Sequence, residues 1–209
     1  MKKSSLILAG LLLVAGGAQA QLHRPATVVV GIKAGGTASQ FVGDDSKKEH
    51  TLYGFHAGLA FHIGEWQGLS VQPEQLYSQK GSDYKETIFD LKRRLTYLDL
   101  PVPVRYQSGS FFGEVGPQVG FLLSANAKSS QGGETTDIKD NYNTLDFGYL
   151  LGVGYQPVRG GFGVGLRYNG AFTRAPQDVA VVGQPSAQTS LRNSAFHAYV
   201  SYFLKSRRR

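Results

Sequence analysis

The five histidines of this sequence are its most obvious candidates for metal chemistry: His23, His50, His56, His62 and His197. His56 and His62 share one face of an alternating segment, but six residues along a strand span about 20 Å, too far for one ion. The sequence has no cysteine and no His-Glu-x-x-His pattern, so it carries neither Cys-based zinc ligands nor a zincin motif. We therefore expect no metal and no cofactor.

Catalytic patterns are equally sparse. The glycine-rich run at 160–165 suggests a dinucleotide loop, but it opens a strand rather than a helix and lacks the required spacing. A Gly-x-Ser-x-Gly elbow does not occur, although a membrane lipid hydrolase would need only a Ser-His-Asp triad at a lipid-facing rim. We predict no catalytic residues and a protein that is not an enzyme, and we keep a lipid-modifying enzyme as the alternative.

Charged side chains recur at positions where period-two alternation turns them to the polar face of a strand. They are Lys33, Glu74, Asp99, Arg105, Glu114, Asp146 and Arg167. Buried charges persist only when they are paired, and this set is close to neutral. A two-residue turn at Ser108-Gly109 would make Arg105 the diagonal neighbour of Glu114, so we predict an Arg105–Glu114 ion pair within a wider network. We interpret the network as a plug rather than an ion path.

Eight segments of alternating apolar residues must position these charges. They cover residues 28–32, 53–63, 69–77, 98–106, 111–123, 147–155, 162–168 and 196–204. Three connections are short and turn-like, at 64–68, 107–110 and 157–161. The other connections, near 36–51, 80–92, 126–142 and 173–192, are long and polar.

This alternation of short and long connections is typical of bacterial outer-membrane barrels, whose short turns lie in the periplasm. The predicted fold is all-β: an eight-stranded antiparallel transmembrane β-barrel with short periplasmic turns and long extracellular loops. Pro73, Pro101, Pro103 and Pro117 fall within these strands, where each removes a ladder donor. We expect a bulge or an open seam near Pro101 and Pro103.

The composition of the two strand faces favours a membrane barrel over a soluble one. The face opposite the apolar residues is rich in glycine, which suits a narrow lumen with room only for side chains. Its predicted glycines are Gly31, Gly54, Gly58, Gly113, Gly116, Gly120, Gly148, Gly152, Gly154, Gly163 and Gly165. Aromatic residues mark both ends of the apolar band, as interfacial girdles do. The predicted girdles are Trp66, Tyr106, Phe111, Tyr155, Tyr202 and Phe203 at the short-turn end and Tyr53, Phe55, Tyr77, Phe172 and Phe196 at the long-loop end.

The ends of the chain carry most of its excess charge. Residues 1–20 have a cationic start, an apolar stretch and an Ala18-Gln19-Ala20 cleavage site, the pattern of a secretory signal peptide. We assign residues 21–204 to the barrel domain and 205–209 to a basic tail. The formal charge is +7, but six of the 22 basic residues lie in these two end segments. The nearly neutral remainder argues against nucleic acid as a partner.

With the strands placed, the sequence resembles the PorT-like family of small outer-membrane barrels from Bacteroidetes-type bacteria. The matching stretches are Gly31 to Gly35, Leu69 to Glu74, Tyr77 to Gly81, Tyr97 to Pro101, Arg105-Tyr106, Gly116 to Gly120 and Asp146 to Gly148. The resemblance covers most of the mature chain and implies the barrel fold. Its namesake is associated with a protein-secretion and gliding apparatus. The C-terminus departs from the usual aromatic end, because Phe203 is followed by Leu204 and a Lys-Ser-Arg-Arg-Arg tail.

The resulting functional hypothesis is a small protein of the outer membrane, exported by its signal peptide, with a plugged polar lumen. Its expected role is structural or a binding role of the long loops. The expected partners are outer-membrane lipid and, at the loops, an envelope protein or a surface polysaccharide. An accessory component of an envelope secretion or motility complex is the alternative.

Overall fold

The computed structural model describes residues 28–43, 49–85, 90–129, 135–158, 161–175 and 191–204. The predicted signal peptide and basic tail lie outside these residues. The described residues form β-strands and one 3-10 turn, Lys139–Asn141. Within them, no helix has the length and apolarity to cross a membrane.

The strands close into a ring. Their bounds are β1 (Val28–Val42), β2 (Glu49–Trp66), β3 (Leu69–Val71), β4 (Glu74–Lys85), β5 (Asp90–Pro101), β6 (Val104–Ser108), β7 (Phe111–Ser129), β8 (Thr135–Asp137), β9 (Leu145–Tyr155), β10 (Phe162–Arg174) and β11 (Arg192–Phe203). The order around the ring is β1, β11, β10, β9, β7, β5, β4 and β2, and antiparallel pairing of β1 with β2 closes it. The eight-stranded antiparallel barrel is confirmed.

Prolines interrupt two barrel strands without opening the wall. β3 continues into β4 across Gln72-Pro73, and β5 continues into β6 across Val102-Pro103. Each gap is bridged by backbone bonds in which a proline serves as acceptor: Phe61 N donates to Pro73 O at 2.9 Å, and Gln72 N donates to Pro103 O at 2.9 Å. The expected irregularity is therefore present at Val102-Pro103, and the proline carbonyls still bond to the neighbouring strands.

The β6–β7 turn differs by one residue from its prediction. Ser108 pairs with Phe111, so the two turn residues are Gly109 and Ser110. Gly109 has φ +59°, a value that glycine adopts without the steric penalty of a side chain, at the first of the two turn positions. In this register Arg105 lies directly opposite Glu114 instead of diagonal to it.

Several strands extend beyond the segments that the apolar alternation marked. β1 continues to Val42, β4 to Lys85 and β7 to Ser129, all inside stretches predicted as loops. Residues 135–141 of the predicted third long loop form β8 and the 3-10 turn. The hydrogen-bonded ladder of these strands continues beyond the membrane-facing band. There the outward side chains become polar, so the apolar alternation ends. Period-two hydrophobicity therefore locates the membrane band rather than the full strand.

The two faces of the wall differ sharply. Ile32 and Leu166 are 62% and 63% exposed, whereas their neighbours Lys33 and Arg167 are each 3% exposed. Ten of the eleven predicted girdle residues are exposed on the outer face, but Phe203 is buried in the lumen, where its ring meets His62 edge-on. The prediction for Phe203 was wrong because it shares a strand parity with Tyr199 and Ser201, which also face inward. Gly113 likewise lies between the inward residues Phe112 and Glu114, so it faces lipid.

Candidate functional site

Four charged residues from four different strands meet in the middle of the lumen. Lys33 of β1, Glu74 of β4, Glu114 of β7 and Arg167 of β10 form what we call the central network. Lys33 Nζ donates to Glu74 Oε1 at 2.5 Å, and Arg167 holds both Glu74 oxygens at 2.8 and 2.9 Å. Arg167 Nε donates to Glu114 Oε1 at 2.8 Å. One guanidinium thus bridges two carboxylates, in the forked geometry that arginine suits best.

Neighbouring residues fit around the central network. Tyr199 donates its hydroxyl proton to Glu114 Oε1 at 2.9 Å, and its ring lies 4.0 Å from Lys33 Nζ. Gly152 faces Glu114 across the β7–β9 pairing, and a Cβ there would stand 2.7 Å from Glu114 Oε1. In the same way, the absence of a side chain at Gly165 leaves space for the ring of Tyr199. The inward glycines are therefore the spaces into which the large inward side chains fold.

The other predicted charges lie away from the central network. Asp99 is bound by Lys80, with Nζ to Oδ2 at 2.8 Å. Asp146 lies towards the loop end and accepts bonds from Thr173 Oγ1 at 2.8 Å and Asn193 Nδ2 at 2.9 Å.

Arg105 lies towards the short-turn end, where it donates to Gln156 Oε1 at 2.7 Å. Its guanidinium carbon stands 3.4 Å from the centre of the Phe112 ring. The predicted Arg105–Glu114 ion pair was wrong: the described residues show Glu114 bound to Arg167 instead. Although Arg105 and Glu114 are opposite in register, Arg167 reaches Glu114 while also neutralising Glu74. Arg105 is left to neutral amides and an aromatic face.

Sequence reasoning missed two features of the lumen. Lys80 was placed in a loop, yet it continues the inward series of Glu74 and Ser78 along β4 and is 3% exposed. His56 of β2 meets His197 of β11, with their Nδ1 atoms 3.1 Å apart, and Thr37 Oγ1 lies 3.1 Å from His56 Nδ1. Strand parity alone could have turned Lys80 and His197 inward. The contact between His56 and His197, in contrast, depends on the closure of the barrel.

An apolar cluster closes the loop end of the lumen. This apolar cap consists of Phe41, Leu95, Tyr97, Leu122, Ala125, Tyr142, Ala175 and Leu191. Tyr142 reaches it from the segment after the 3-10 turn and stacks on Phe41 with ring centroids 6.3 Å apart. Ile138 packs against the cap, and its backbone N donates to Ala125 O at 2.9 Å. The third loop therefore folds back over the mouth of the barrel.

The family of this chain follows from a sequence comparison. The profile of a family described as "Outer membrane protein beta-barrel domain" matches residues 19–175, which is most of the chain. The chain belongs to this family. It is thus a small outer-membrane β-barrel protein, and the outer membrane is its location. A comparison with the curated proteins found no match.

Solved structures of other small barrels are similar to this outer-membrane protein. Ail, the attachment invasion locus protein of Yersinia pestis, shares 13% identity over 84% of this chain and 98% of its own, with a TM-score of 0.48. Neisserial surface protein A shares 16% over 86% and 99%, with a TM-score of 0.45. The N-terminal barrel domain of Pseudomonas aeruginosa OprF shares 10% over 86% and 99%, with a TM-score of 0.38.

The chemistry available in the lumen of this outer-membrane barrel is that of a packed ionic interior. Glu74 and Asp99 contact cationic side chains, and Glu114 adds a tyrosine donor. Across the described ranges, no group of three or more His, Asp or Glu side chains could hold a metal ion. The arrangement joins β1, β4, β7 and β10 to one another through the lumen.

Proposed function

We propose that this protein is a sealed, non-catalytic barrel that anchors a binding platform on the outer surface of the cell. The observation that carries the proposal is the central network, because its side chains join β1, β4, β7 and β10 across the lumen. The apolar cap adds a second barrier at the loop end. An ion crossing this lumen would have to displace paired charges and then pass an apolar layer, and both steps are costly.

The platform is the segment 135–141. Thr135, Thr136, Asp137, Lys139 and Asp140 are exposed, while the pairing of β8 with β7 and the buried contact of Ile138 hold the segment in place. Asp137 Oδ1 also accepts from the backbone N of Lys139 at 2.9 Å.

The chemistry of the platform favours one class of partner. Hydroxyl, carboxylate and ammonium groups on a fixed backbone suit hydrogen bonding to sugars. The segment exposes no large aromatic anchor of the kind that dominates protein interfaces. We therefore propose a surface polysaccharide as the partner.

Conductance across a planar lipid bilayer tests the seal. We expect no steady ion current from the refolded wild-type protein. Removing both partners of one inner pair together with one ring of the cap, in Glu74→Ala/Arg167→Ala/Tyr142→Ala, should produce current while the heat-modifiable gel migration of a folded barrel persists. The matched control is Leu166→Ala, the lipid-facing neighbour of Arg167. Steady wild-type current of the size expected for an open pore would contradict the proposal.

Binding of purified surface polysaccharide to the vesicle-embedded protein tests the platform. Asp137→Ala/Asp140→Ala should weaken binding, whereas Glu65→Ala, an exposed acid at the short-turn end, should not. If both variants bound the polysaccharide equally well, the platform would not be its binding site.

An accessory role in an envelope secretion or motility complex is the second candidate, supported by the resemblance of Gly31 to Gly35 and Tyr97 to Pro101 to PorT-like barrels. In-cell crosslinking from the platform separates the two. Capture of one defined envelope protein, with no polysaccharide binding, would favour the accessory role.

A further inference from the structure

A glutamine faces lipid within the membrane band of the outer wall. Gln75 of β4 is half-buried and lies on the outward face, next to the lumen-facing Glu74. Its register partner on β2 is the exposed Leu59. Tyr77 lies two residues closer to the loop end, and its ring is 5.9 Å from the ring of Phe55, another residue of the loop-end girdle. Gln75 therefore lies on the membrane side of this girdle.

The side chain of Gln75 does not fit its apolar surroundings. Within the described strands, no other amide or charged side chain faces outward between the two girdles. The exposed residues of this band include Ile32, Leu59, Val115, Leu151, Leu166 and Val200. The amide of Gln75 has no hydrogen-bond partner among the described residues. Hydrocarbon offers neither donors nor acceptors, so an unpaired amide at this depth is costly.

The wall around Gln75 is also the sector that contains the strand prolines. β4, β5 and β7 are neighbours in the ring, and the prolines lie in these strands or next to them: Pro73, Pro101, Pro103 and Pro117. Each of them lacks the N–H group that a ladder bond needs. On the other side of the barrel, β9 and β10 pair without interruption from Tyr155 to Gly148. The proline sector therefore gains support from a rigid neighbour that lipid does not supply.

A second copy of the chain supplies the partner that Gln75 lacks. Two copies inserted in the same orientation are related by a two-fold axis along the membrane normal, so identical residues meet at the same depth. An amide has both donors and an acceptor, so Gln75 is complementary to itself. A charged side chain would instead be repelled by its own copy. Amide side chains form such hydrogen bonds between membrane-spanning segments in lipid.

We propose that the protein forms a two-fold dimer through the Gln75 face, which consists of Leu59, Val71, Gln75 and Tyr77. The Gln75 amides of the two copies are hydrogen-bonded to each other within the membrane. Leu59 and Tyr77, which flank the amide on β2 and β4, pack around this pair and exclude lipid from it. The Gln75 face is on the outer wall, so the dimer is independent of the sealed lumen and of the platform.

The opposite wall provides a matched control. β5, β7 and β9 separate β4 from β10 on one side of the ring, and β2, β1 and β11 separate them on the other. Arg167 of β10 meets Glu74 of β4 across the lumen, so their outward neighbours Leu166 and Gln75 lie at a similar depth on opposite sides. Leu166 is exposed to lipid and is not part of the Gln75 face.

Sedimentation equilibrium of the folded protein in neutral detergent micelles tests the dimer. We expect a monomer–dimer equilibrium for wild type and a dissociation constant about tenfold higher for Gln75→Leu, which loses the amide pair. Gln75→Asn keeps an amide on a shorter side chain and should fall between the two. Leu166→Ala should leave the dissociation constant unchanged. Heat-modifiable migration checks that each variant is folded. Equal dissociation constants for wild type and Gln75→Leu would overturn the proposal.

Distances between spin labels in lipid vesicles test which face is used. The chain has no cysteine, so one introduced cysteine carries a single label in each copy. Double electron–electron resonance should give a clearly shorter distance between copies for Leu59→Cys than for Leu166→Cys. Equal distances would overturn the assignment to the Gln75 face. A wild-type protein that is monomeric in both micelles and vesicles would overturn the dimer, because lipid or a different protein would then satisfy the amide.

Discussion

The central network and the apolar cap fill the same lumen with opposite chemistries. In the middle of the barrel, Glu74 and Arg167 are buried charges held by several bonds each. At the loop end, Phe41, Leu122 and Tyr142 pack as an ordinary hydrophobic core. A transmembrane barrel of this size thus encloses both an ionic centre and a soluble-type core.

The difference reflects where the inward side chains come from. The network residues belong to the alternating strands, whose outward neighbours must be apolar to face lipid. The cap combines inward residues from the loop-side parts of β1, β5 and β7 with Tyr142 and Leu191, which lie outside that alternation in connecting segments. Loop segments can pack apolar side chains against each other because their backbone is solvated or hydrogen-bonded to the rim of the barrel. The four predictions below test whether the two regions are energetically separate.

The largest effect is expected from Glu74→Ala. This change leaves Lys33 and Arg167 buried without their shared carboxylate, and breaking a buried ion pair on one side costs about 3–5 kcal/mol. Urea unfolding from lipid vesicles measures the loss. Gln75→Ala, on the other face of the same strand, is the control and should change stability little. Equal losses would mean that the network does not stabilise the barrel.

A smaller and more local effect is expected from Tyr142→Ala. Removing this ring opens the cap next to Phe41, at a cost of about 3 kcal/mol, the low end for a buried aromatic because the site is at the rim. Amide hydrogen exchange should accelerate at residues 135–145 and remain unchanged near Arg167. Phe41→Ala should couple with it in a double-mutant cycle. Faster exchange around Arg167 would show that cap and network unfold together.

Gly152→Ala should cost about 1–2 kcal/mol by overpacking the network. The added Cβ would stand 2.7 Å from Glu114 Oε1 and 3.0 Å from the Leu166 carbonyl oxygen. Gly113→Ala is the matched control, since its Cβ would face lipid with the nearest atom 4.0 Å away. If both glycines tolerated alanine equally, the network would be loosely packed.

The smallest effect is expected where the two regions meet. Lys80 Nζ binds Asp99 and lies 5.1 Å from the centre of the Tyr97 ring, which belongs to the cap. Replacing the whole pair, in Lys80→Met/Asp99→Leu, should leave stability within about 1 kcal/mol of wild type or raise it. The single change Asp99→Leu should lower the stability clearly more than the double change does. A severe loss in the double variant would mean that this ion pair, like the network, specifies the barrel.

Much of the fold could be predicted because lipid imposes a strict alternation on the strands. The lipid-facing and lumen-facing sides of a strand can be assigned from neighbours of opposite polarity, such as Ile32 beside Lys33 and Leu166 beside Arg167. The ion-pair partners could not be predicted from the sequence. A carboxylate on β7 has several cations at a similar depth in the barrel, and only closure of the barrel decides which of them it binds. The turn position shifted by one residue, which was enough to misplace Arg105 relative to Glu114.

The apolar cap could not be predicted from the sequence, for a different reason. Phe41, Leu95, Tyr97, Leu122 and Ala125 lie on three different strands, whereas Tyr142, Ala175 and Leu191 lie just outside the strands, where no period applies. Nothing in the sequence therefore marked Tyr142 as a partner of Phe41. Lys80 was missed because polar outward neighbours made the end of β4 look like a loop.

The long reach of the central network has a consequence for assembly. Lys33 and Glu74 are 41 residues apart in sequence, Glu114 and Arg167 are 53 apart, and Glu74 and Arg167 are 93 apart. None of these pairs joins strands adjacent in the ring, so no hairpin inserted alone carries its own counter-ion. A half-built wall would expose bare charge to hydrocarbon. The network therefore disfavours stepwise insertion and favours concerted entry and closure of the strands.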